Sequence, residues 1–245
     1  MSGGVAVSAP ISVVVPVKDE ADNVGPLARE IAAALAGEAH EILFVDDGSR
    51  DGTMDALMAL KSELPQLRVL SHSRNLGQSR GIRTGVQAAR GEIVVTLDGD
   101  GQNDPADIPK LLSALRAQAD VAMVSGVRVK RQDKASRRLA SRLGNCFRSA
   151  LLGDSATDTG CGLKAFPRDV FLSMPYFDGL HRFLPALVRR EGFEIAYVDV
   201  IDRPRRSGVS NYGFFDRLWI GIMDLAGVWW LIRRKRPTPV ATEVS

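Results

Sequence analysis

Residues 94–105, VVTLDGDGQNDP, pass from an apolar run straight into a cluster of carboxylates. Asp98 and Asp100 stand two residues apart beside glycines, so the chain can bend sharply and bring both carboxylates to one ion. Gln102 adds an amide oxygen two residues later. Because Mg²⁺ and Mn²⁺ prefer oxygen ligands, commonly one or two carboxylates together with a substrate's phosphates, the spacing predicts a divalent-metal site. The alternative is a glycine-rich turn in which the Asp side chains only cap the backbone.

Two further acidic pairs follow apolar runs nearer the N-terminus. Asp19 and Glu20 come shortly after ISVVVPV, and Asp46 and Asp47 come directly after EILFV. Short β-branched runs of this kind are typical of strands buried on both faces of a sheet. Since parallel strands end at one edge, where ligands bind in such sheets, we expect all three acidic pairs to share one rim.

Strands and helices alternate along the first half of the chain. The predicted strands are 11–17, 41–45, 68–71 and 92–97, and the predicted helices are 24–36, 53–60 and 79–89. A helix over 107–117 and strands over 121–125, 160–166 and 194–200 follow. We expect Asp22 or Asn23 to cap the first helix. The order predicts right-handed βαβ crossovers and a mostly parallel sheet.

Composition narrows the class of protein. With 245 residues, 45% hydrophobic and 25% charged, the chain suits one α/β domain and not global disorder. Its net charge is +3, yet residues 128–148 hold eight Lys or Arg against one acid. Such a basic stretch suits a phosphate or an anionic membrane face; the alternative is a solvated surface.

The two cysteines indicate neither a disulfide framework nor a zinc site, and the N-terminus lacks a signal-peptide pattern, which favours the cytosol. There is no P-loop or dinucleotide fingerprint, and Asn103 replaces the glycine of an EF-hand loop.

Three blocks of sequence resemble one family over about the first hundred residues. VVVPVKDE (13–20), DDGSRDGT (46–53) and NLGQSRGIRTGVQAARGEIVVTLDGDGQ (75–102) are similar to the nucleotide pocket of the family-2 inverting glycosyltransferases, which have the GT-A fold. The resemblance implies that Pro16, Glu20 and Asp47 contact the base and ribose of a nucleotide-diphosphate sugar donor. It also implies that Asp98 and Asp100, with Gln102, hold Mg²⁺ or Mn²⁺ on the donor's diphosphate.

The second half is similar to the polyprenyl-phosphate sugar synthases, the dolichyl-phosphate mannose synthase branch. The matching stretches are SGVR (125–128), SRRLASRLGN (136–145), DTGCGLKAF (158–166), LHRFLPAL (180–187) and RPRRSGVSNYG (203–213). The resemblance implies that the acceptor phosphate is held by Arg128, Arg137 and Ser141, with Arg138 as a close alternative. Beside Asp98 and Asp100, Arg128 and Arg137 are then the expected catalytic residues.

A loop near residue 205 resembles one that closes on the donor phosphates in that branch. Its expected contacts are Arg205, Arg206 and Ser210, unless it is a solvated connector. Asp202 and Asn211 depart from the His and Lys that relatives often carry. The chain lacks the acidic base and the QxxRW motif of polysaccharide-forming relatives. A lipid monophosphate with a second pKa of about 6 needs no such base, because at neutral pH it is already a dianion.

These expectations define the domain organisation. A single GT-A α/β domain over 10–213, with a mostly parallel sheet flanked by helices, lies between a flexible N-terminus (1–9) and a C-terminal amphipathic helical segment (214–236). Residues 237–245 are expected to be a flexible tail. The tryptophans of the 214–236 segment and its RRKR end favour contact with the membrane interface, although a core-packing helix is the alternative. Its apolar run is too short and interrupted for a membrane span.

The expected activity is metal-dependent, inverting transfer of a sugar from a nucleotide-diphosphate sugar to a polyprenyl phosphate at the cytoplasmic face of a membrane. One alternative is a hydroxyl acceptor, which requires a carboxylate base such as Asp158; Asp158 otherwise orients a substrate or caps a turn. Two further hypotheses are a non-catalytic nucleotide-sugar-binding partner and a nucleic-acid-binding protein, the latter without aromatic support. A lone His181 is more often structural than catalytic. The sugar, the base, the prenyl length and the oligomeric state stay open.

Overall fold

A seven-stranded sheet forms the centre of the protein in this computed structural model. The structure describes residues 10–129, 148–154, 156, 158–204 and 214–234. Residues 214–220 are described by their backbone alone. The strands are β1 (Ile11–Val17), β2 (His40–Asp46), β3 (Leu67–Ser71), β4 (Ile93–Thr96), β5 (Val121–Val129), β6 (Lys164–Pro167) and β7 (Glu194–Ile201). Their order across the sheet is β3-β2-β1-β4-β6-β5-β7. All pairings are parallel except those of β6, which runs antiparallel to β4 and β5. The predicted mostly parallel α/β sheet is confirmed.

Helices cover both faces of the sheet. They are α1 (Ala21–Ala34), α2 (Thr53–Leu60), α3 (Gln78–Ala88), α4 (Ile108–Ala117), α5 (Arg168–Ser173), α6 (Leu184–Arg190) and α7 (Phe214–Arg233), with 3₁₀ turns at Pro105–Asp107 and Leu180–Arg182. Strand β1 shows how the layers form: Val13 and Val15 pack in one hydrophobic core with Leu27 of α1, while Val14 faces a second core with Ile82 of α3. Successive strand residues point to opposite faces, so a wholly apolar strand is stable only between two helical layers.

The first helix begins three residues earlier than predicted, at Ala21 instead of residue 24. Neither Asp22 nor Asn23 caps it: the Glu20 carbonyl accepts from the Asn23 and Val24 amides at 2.9 and 3.1 Å. The Glu20 amide in turn donates to Thr53 Oγ1 at 2.8 Å. A contact from another helix therefore sets this start, and local pattern alone does not reveal it.

The prediction of a strand over 160–166 was wrong about the residue at which the strand begins. Strand β6 begins at Lys164, whereas residues 158–163 form turn and irregular structure. They lie beside the carboxyl end of β4, where a Cβ added to Gly162 would touch the Asp98 side chain. The stretch is therefore part of the rim and not of the sheet.

Helix α7 packs one face on the domain and exposes another. Val228 is buried in the second core, with Leu225, Trp229 and Ile232 packed around it. Met223 and Trp230 keep 57% and 53% of their surface exposed. The helix thus combines the core-packing alternative with an exposed apolar side. In the parts of the chain that the structure describes, we find no helix with the length and apolar character needed to cross a bilayer.

Candidate active site

The carboxyl ends of β1, β2 and β4 form one wall of an open cavity, which we call the outer cavity. Strand β1 pairs with β2 on one side and with β4 on the other, so the loops that follow these strands meet. The cavity has a volume of about 330 Å³. Its lining comprises Pro16, Val17, Lys18, Glu20, Asp47, Asn75, Gly77, Gln78, Asp98, Gly99 and Asp100.

The three acidic strand ends do share this rim, but only one acid of the β1 pair and one of the β2 pair line the cavity, whereas both acids after β4 do. Glu20, Asp47, Asp98 and Asp100 line it. Asp19 instead accepts from the Arg50 amide at 2.7 Å, and the Asp46 carboxylate accepts from the Ser49 amide at 3.2 Å. Asp19 therefore ties the loop after β1 to the loop after β2, while Asp46 braces its own loop.

Asp47 organises the part of the rim that follows β2. Its carboxylate accepts from the backbone amides of Leu76 and Gly77, each at 2.8 Å, and lies 2.8 Å from His72 Nδ1. These contacts hold the loop before α3 against the end of β2. Asp47 is buried, with 4% of its surface exposed, so its first effect is to fix the shape of the cavity wall.

Two residues for which the sequence predicted no role, Gln78 and Gly162, position Asp98. Gln78 Nε2, at the start of α3, donates to Asp98 Oδ1 at 2.7 Å. On the other side, a Cβ built on Gly162 would lie 2.3 Å from the Asp98 carboxyl carbon. Asp100 is braced separately, since its Oδ1 accepts from the Gln102 amide at 3.1 Å. Gln78 and Gly162 both lie inside sequence blocks that resemble the family, which is the signal that pointed to them.

The donor set suits a hard divalent cation. Burial and the neighbouring Asp100 carboxylate raise the pKa of Asp98 to about 6, because two carboxylates at one place repel. Among the described residues no group of three or more His, Cys, Asp or Glu side chains has the arrangement of a metal site. In many Mg²⁺ or Mn²⁺ sites the protein supplies one or two carboxylate ligands and the substrate phosphates supply others, and Asp98 with Asp100 matches this number. The Gln102 side chain does not line the outer cavity, and only its backbone amide contacts Asp100.

Asp98→Asn is expected to raise the thermal unfolding midpoint of the metal-free protein at neutral pH. The folded state raises the pKa of Asp98 from 3.8 to about 6, so it binds more protons than the unfolded chain between these values, and wild-type stability rises as the pH falls through that window. The advantage of the uncharged variant should therefore shrink below about pH 6. Calorimetry in EDTA over a pH series measures it, with the exposed Asp55→Asn as the control. A variant less stable than wild type at neutral pH would contradict the prediction.

A second, inner cavity adjoins the first. It has a volume of about 170 Å³ and shares Gln78 and Asp98 with the outer cavity. Its other lining residues are Ile82, Thr96, Thr159, Gly160, Cys161, Gly162, Lys164, His181, Arg182 and Leu184. His181 has a structural contact here, since its Nδ1 lies 2.7 Å from Ser79 Oγ and burial lowers the pKa of His181 to about 3. The two cavities meet at Asp98.

Arg128 and Asp158 form a largely buried ion pair near the inner cavity. Asp158 Oδ2 accepts from Arg128 Nε at 2.8 Å and Oδ1 accepts from Nη2 at 2.9 Å. The pair raises the pKa of Arg128. Asp158 is 5% exposed and is engaged as the counter-ion of Arg128. This geometry gives Asp158 a contact that positions Arg128, and its role as a base for a hydroxyl acceptor stays an alternative prediction.

Several predicted site residues lie outside the described residues. They are Arg137, Arg138 and Ser141 of the acceptor group, and Arg205, Arg206, Ser210 and Asn211 of the closing loop. Asp202 is described and forms an isolated β-bridge with Asn103. Its neighbour Arg203 pairs with Glu30 and Asp104, which ties this strand end to α1 and to the turn before α4.

The fold is that of nucleotide-sugar-dependent transferases of the GT-A type. Glucosyl-3-phosphoglycerate synthase from Mycobacterium tuberculosis, crystallised with Mn²⁺, uridine-diphosphate-glucose and phosphoglyceric acid, matches with a TM-score of 0.69 over 95% of this chain and 85% of that chain. Its sequence is 19% identical, so the similarity establishes the fold. The chain belongs to the family described as Glycosyl transferase family 2, whose model matches residues 12–173.

Two curated relatives match most of the chain. Dodecaprenyl-phosphate galacturonate synthase from Rhizobium johnstonii is 35% identical over 231 residues, which cover 92% of this chain and 68% of the relative. Undecaprenyl-phosphate 4-deoxy-4-formamido-L-arabinose transferase from Pectobacterium carotovorum is 35% identical over 208 residues, which cover 83% of this chain and 63% of the relative. The chain therefore spans about two thirds of the length of these relatives.

Proposed function

We propose that the protein transfers a sugar from a nucleoside-diphosphate sugar to a polyprenyl phosphate. The observation that carries the proposal is the meeting of two cavities at Asp98, because a donor in one and an acceptor near the other would bring their reacting atoms to this carboxylate. The names of both relatives combine a polyprenyl phosphate with a sugar, which supports a polyprenyl phosphate as the acceptor. These names differ in the sugar, which leaves the sugar of this protein open.

The outer cavity is the proposed donor site. Pro16, Glu20 and Asp47 would contact the nucleoside, and Asp98 and Asp100, with Gln102 as the predicted third ligand, would hold Mg²⁺ or Mn²⁺. When bound, the cation would neutralise charge on the nucleoside diphosphate as it leaves. Gln78 keeps the Asp98 carboxylate oriented toward this place. The Mn²⁺ and uridine-diphosphate-glucose bound in the mycobacterial neighbour support a divalent cation at such a rim.

Arg128 is the proposed contact for the acceptor phosphate among the described residues. Asp158 engages two of its five N–H donors, which leaves others for a phosphate. A phosphate dianion attacks the anomeric carbon without surrendering a proton, so the reaction does not need Asp158 as a base. Arg137, Arg138 and Ser141 at the acceptor and Arg205, Arg206 and Ser210 at the donor stay predictions of the family resemblance.

The experiment for this proposal is a transfer assay. The full chain is incubated with undecaprenyl phosphate in detergent and with uridine- and guanosine-diphosphate sugars, in Mn²⁺, in Mg²⁺ and in EDTA. We expect a lipid-linked phosphosugar of inverted anomeric configuration that forms only with the metal. Transfer to a hydroxyl acceptor but not to the lipid phosphate would favour the alternative activity, and metal-dependent donor binding without turnover would favour a binding protein.

Asp158→Asn separates the two activities. We expect the KM for polyprenyl phosphate to rise about tenfold, equivalent to about 1.4 kcal/mol, while kcat stays within about threefold of wild type, because Asp158 acts through Arg128. If Asp158 were a base for a hydroxyl acceptor, kcat itself would fall by about 100-fold or more. Asp154→Asn is the matched control, since Asp154 forms a buried pair with Arg148. It should lower the unfolding midpoint without changing the acceptor KM.

Membrane contact through α7 is part of the proposal. Met223 and Trp230 expose apolar surface on this helix, and Arg233 and Arg234 follow at its end. Met223→Ser with Trp230→Ser should weaken binding to vesicles of phosphatidylglycerol and phosphatidylcholine by about tenfold or more, since burying one large apolar side chain contributes about 1.5–3 kcal/mol. Vesicle sedimentation measures this, with the exposed Met58→Ser on α2 as the control. Equal binding of wild type and the double variant would exclude α7 as the contact. The cytoplasmic face stays a prediction.

A further inference from the structure

The inner cavity carries charged groups that the proposed transfer does not use. Lys164 belongs to β6, directly opposite Thr96 of β4, and its side chain lines the cavity behind Asp98. Only 3% of its surface is exposed. Lysine is almost never fully buried unless a partner compensates its charge, so this position needs a physical reason.

The described part of the protein compensates Lys164 incompletely. Its ammonium group donates to the Cys161 carbonyl, which is its hydrogen-bond partner among the described residues. An ammonium group has three N–H donors, so two of them have no acceptor there. Burial accordingly lowers the pKa of Lys164. A buried donor without an acceptor costs stability, and an anion entering the cavity would remove that penalty.

Arg182 adds a second basic side chain to the lining of the cavity. Its Nη2 lies 3.3 Å from Asp224 of α7, but its Nε is buried without a hydrogen-bond partner in the described structure. His181 contributes no charge at neutral pH, because burial lowers its pKa to about 3. The carboxylates nearby have other partners than Lys164 in the proposed complex: Asp158 pairs with Arg128, and Asp98 would bind the metal. Among the described residues, one lysine and one arginine therefore line the inner cavity, and an entering carboxylate would favour the protonated form of Lys164.

We propose that the inner cavity receives the transferred sugar and selects one that carries a carboxylate, so that the donor is a nucleoside-diphosphate uronic acid. This rests on the proposed function, which places the diphosphate at Asp98 and Asp100. Lys164 is the specificity-determining residue that would pair with the sugar carboxylate, and Arg182, which lines the same cavity, supports it. A neutral hexose offers a hydroxymethyl group there, which brings no counter-charge to the ammonium group.

The test compares donors that differ only at the sugar's exocyclic carbon. The pairs are uridine-diphosphate glucuronate with glucose, uridine-diphosphate galacturonate with galactose, and guanosine-diphosphate mannuronate with mannose. Uridine-diphosphate 4-deoxy-4-formamido-L-arabinose is added as a further neutral donor. In the pair of donors that the wild-type protein uses, the kcat/KM for the uronate should be at least about tenfold above the kcat/KM for the neutral sugar. This ratio corresponds to about 1.4 kcal/mol.

Lys164→Met removes the charge and keeps the length of the side chain. The variant should lose most of the preference for the uronate, measured as the ratio of the two kcat/KM values of a pair, because a loss that acts through Asp98 lowers the use of both donors equally and leaves that ratio unchanged. The exposed Lys110→Met is the matched control and should behave as wild type. Thermal unfolding verifies that both variants fold, since a buried methionine is compatible with its apolar surroundings.

Three results would overturn the inference. Equal use of both members of a pair, or preference for the neutral sugar or for the formamidoarabinose donor, would leave the proposed transfer intact and refute the uronate. A Lys164→Met variant that folds but loses both donors equally would give Lys164 a general role in positioning Asp98. Transfer from none of the donors, with metal and lipid phosphate present, would refute the proposed function itself and the uronate with it.

Discussion

Asp100→Asn is expected to lower kcat/KM for sugar transfer by about 100- to 1,000-fold, the range seen when one preorganised electrostatic group is removed from an active site. Asp100 lines the outer cavity beside Asp98, and its carboxylate is braced by the Gln102 amide. Asparagine keeps the size of the side chain and its capacity to accept that hydrogen bond. It loses the negative charge that a divalent cation requires, so the loss of activity should follow the metal and not the fold.

The decisive measurement is the apparent affinity for Mn²⁺ in the presence of donor, taken together with kcat/KM. We expect both to fall in Asp100→Asn while the unfolding midpoint without metal is maintained. Asp120→Asn is the control, because Asp120 is an exposed carboxylate just before β5 and does not line either cavity. Full activity of Asp100→Asn with unchanged Mn²⁺ dependence would remove this carboxylate from the metal site.

Gly162→Ala is expected to lower kcat/KM by about 100-fold, although residue 162 carries no chemical group of its own, because a displacement of about 1 Å at a reacting centre has an effect of that size. A Cβ at this position would lie 2.3 Å from the Asp98 carboxyl carbon and from Oδ2. No such contact is tolerated, so the carboxylate must move away from Gly162. The displaced group is the end of a side chain, so we expect the fold to persist.

The control for this prediction is Gly25→Ala in α1. A Cβ there would meet only the end of the Arg29 side chain, at 3.4 Å, and alanine favours a helix over glycine. Gly25→Ala should keep wild-type activity, and circular dichroism should show both variants folded. A crystal structure or Mn²⁺ titration of Gly162→Ala should reveal the displaced Asp98 carboxylate. Wild-type Mn²⁺ affinity in this variant would exclude Gly162 as the residue that positions Asp98.

Much of the rim was predictable because it depends on local patterns. Apolar β-branched runs identify β1, β2 and β4 without any knowledge of the fold, and alternation with helices places their ends at one edge. Acids that follow such runs must then meet, as Glu20, Asp47 and Asp98 do in the outer cavity. The family resemblance added roles for these residues, and the roles stay predictions until the variants are measured.

The sequence pattern failed where contacts from distant segments decide the local structure. The pattern predicted a strand over 160–166, yet residues 160–163 turn along the rim, and β6 begins at Lys164 as an antiparallel strand between β4 and β5. A strand's direction depends on which neighbours its backbone pairs with, and hydrophobic periodicity is the same in both directions. The start of α1 at Ala21 has the same cause, since the Thr53 hydroxyl of another helix holds the residue before it.

The sequence by itself therefore determined the class of fold, the acidic strand ends and the edge at which they gather. Only the tertiary structure decided that Gly162 limits the position of Asp98, that Asp158 forms an ion pair with Arg128, and that Lys164 is buried in the cavity that Asp98 lines. Each of these contacts joins residues at least 30 positions apart in the chain. Local periodicity extends over a few residues, whereas such contacts arise from strand register and from the packing of layers, which depend on the whole chain at once.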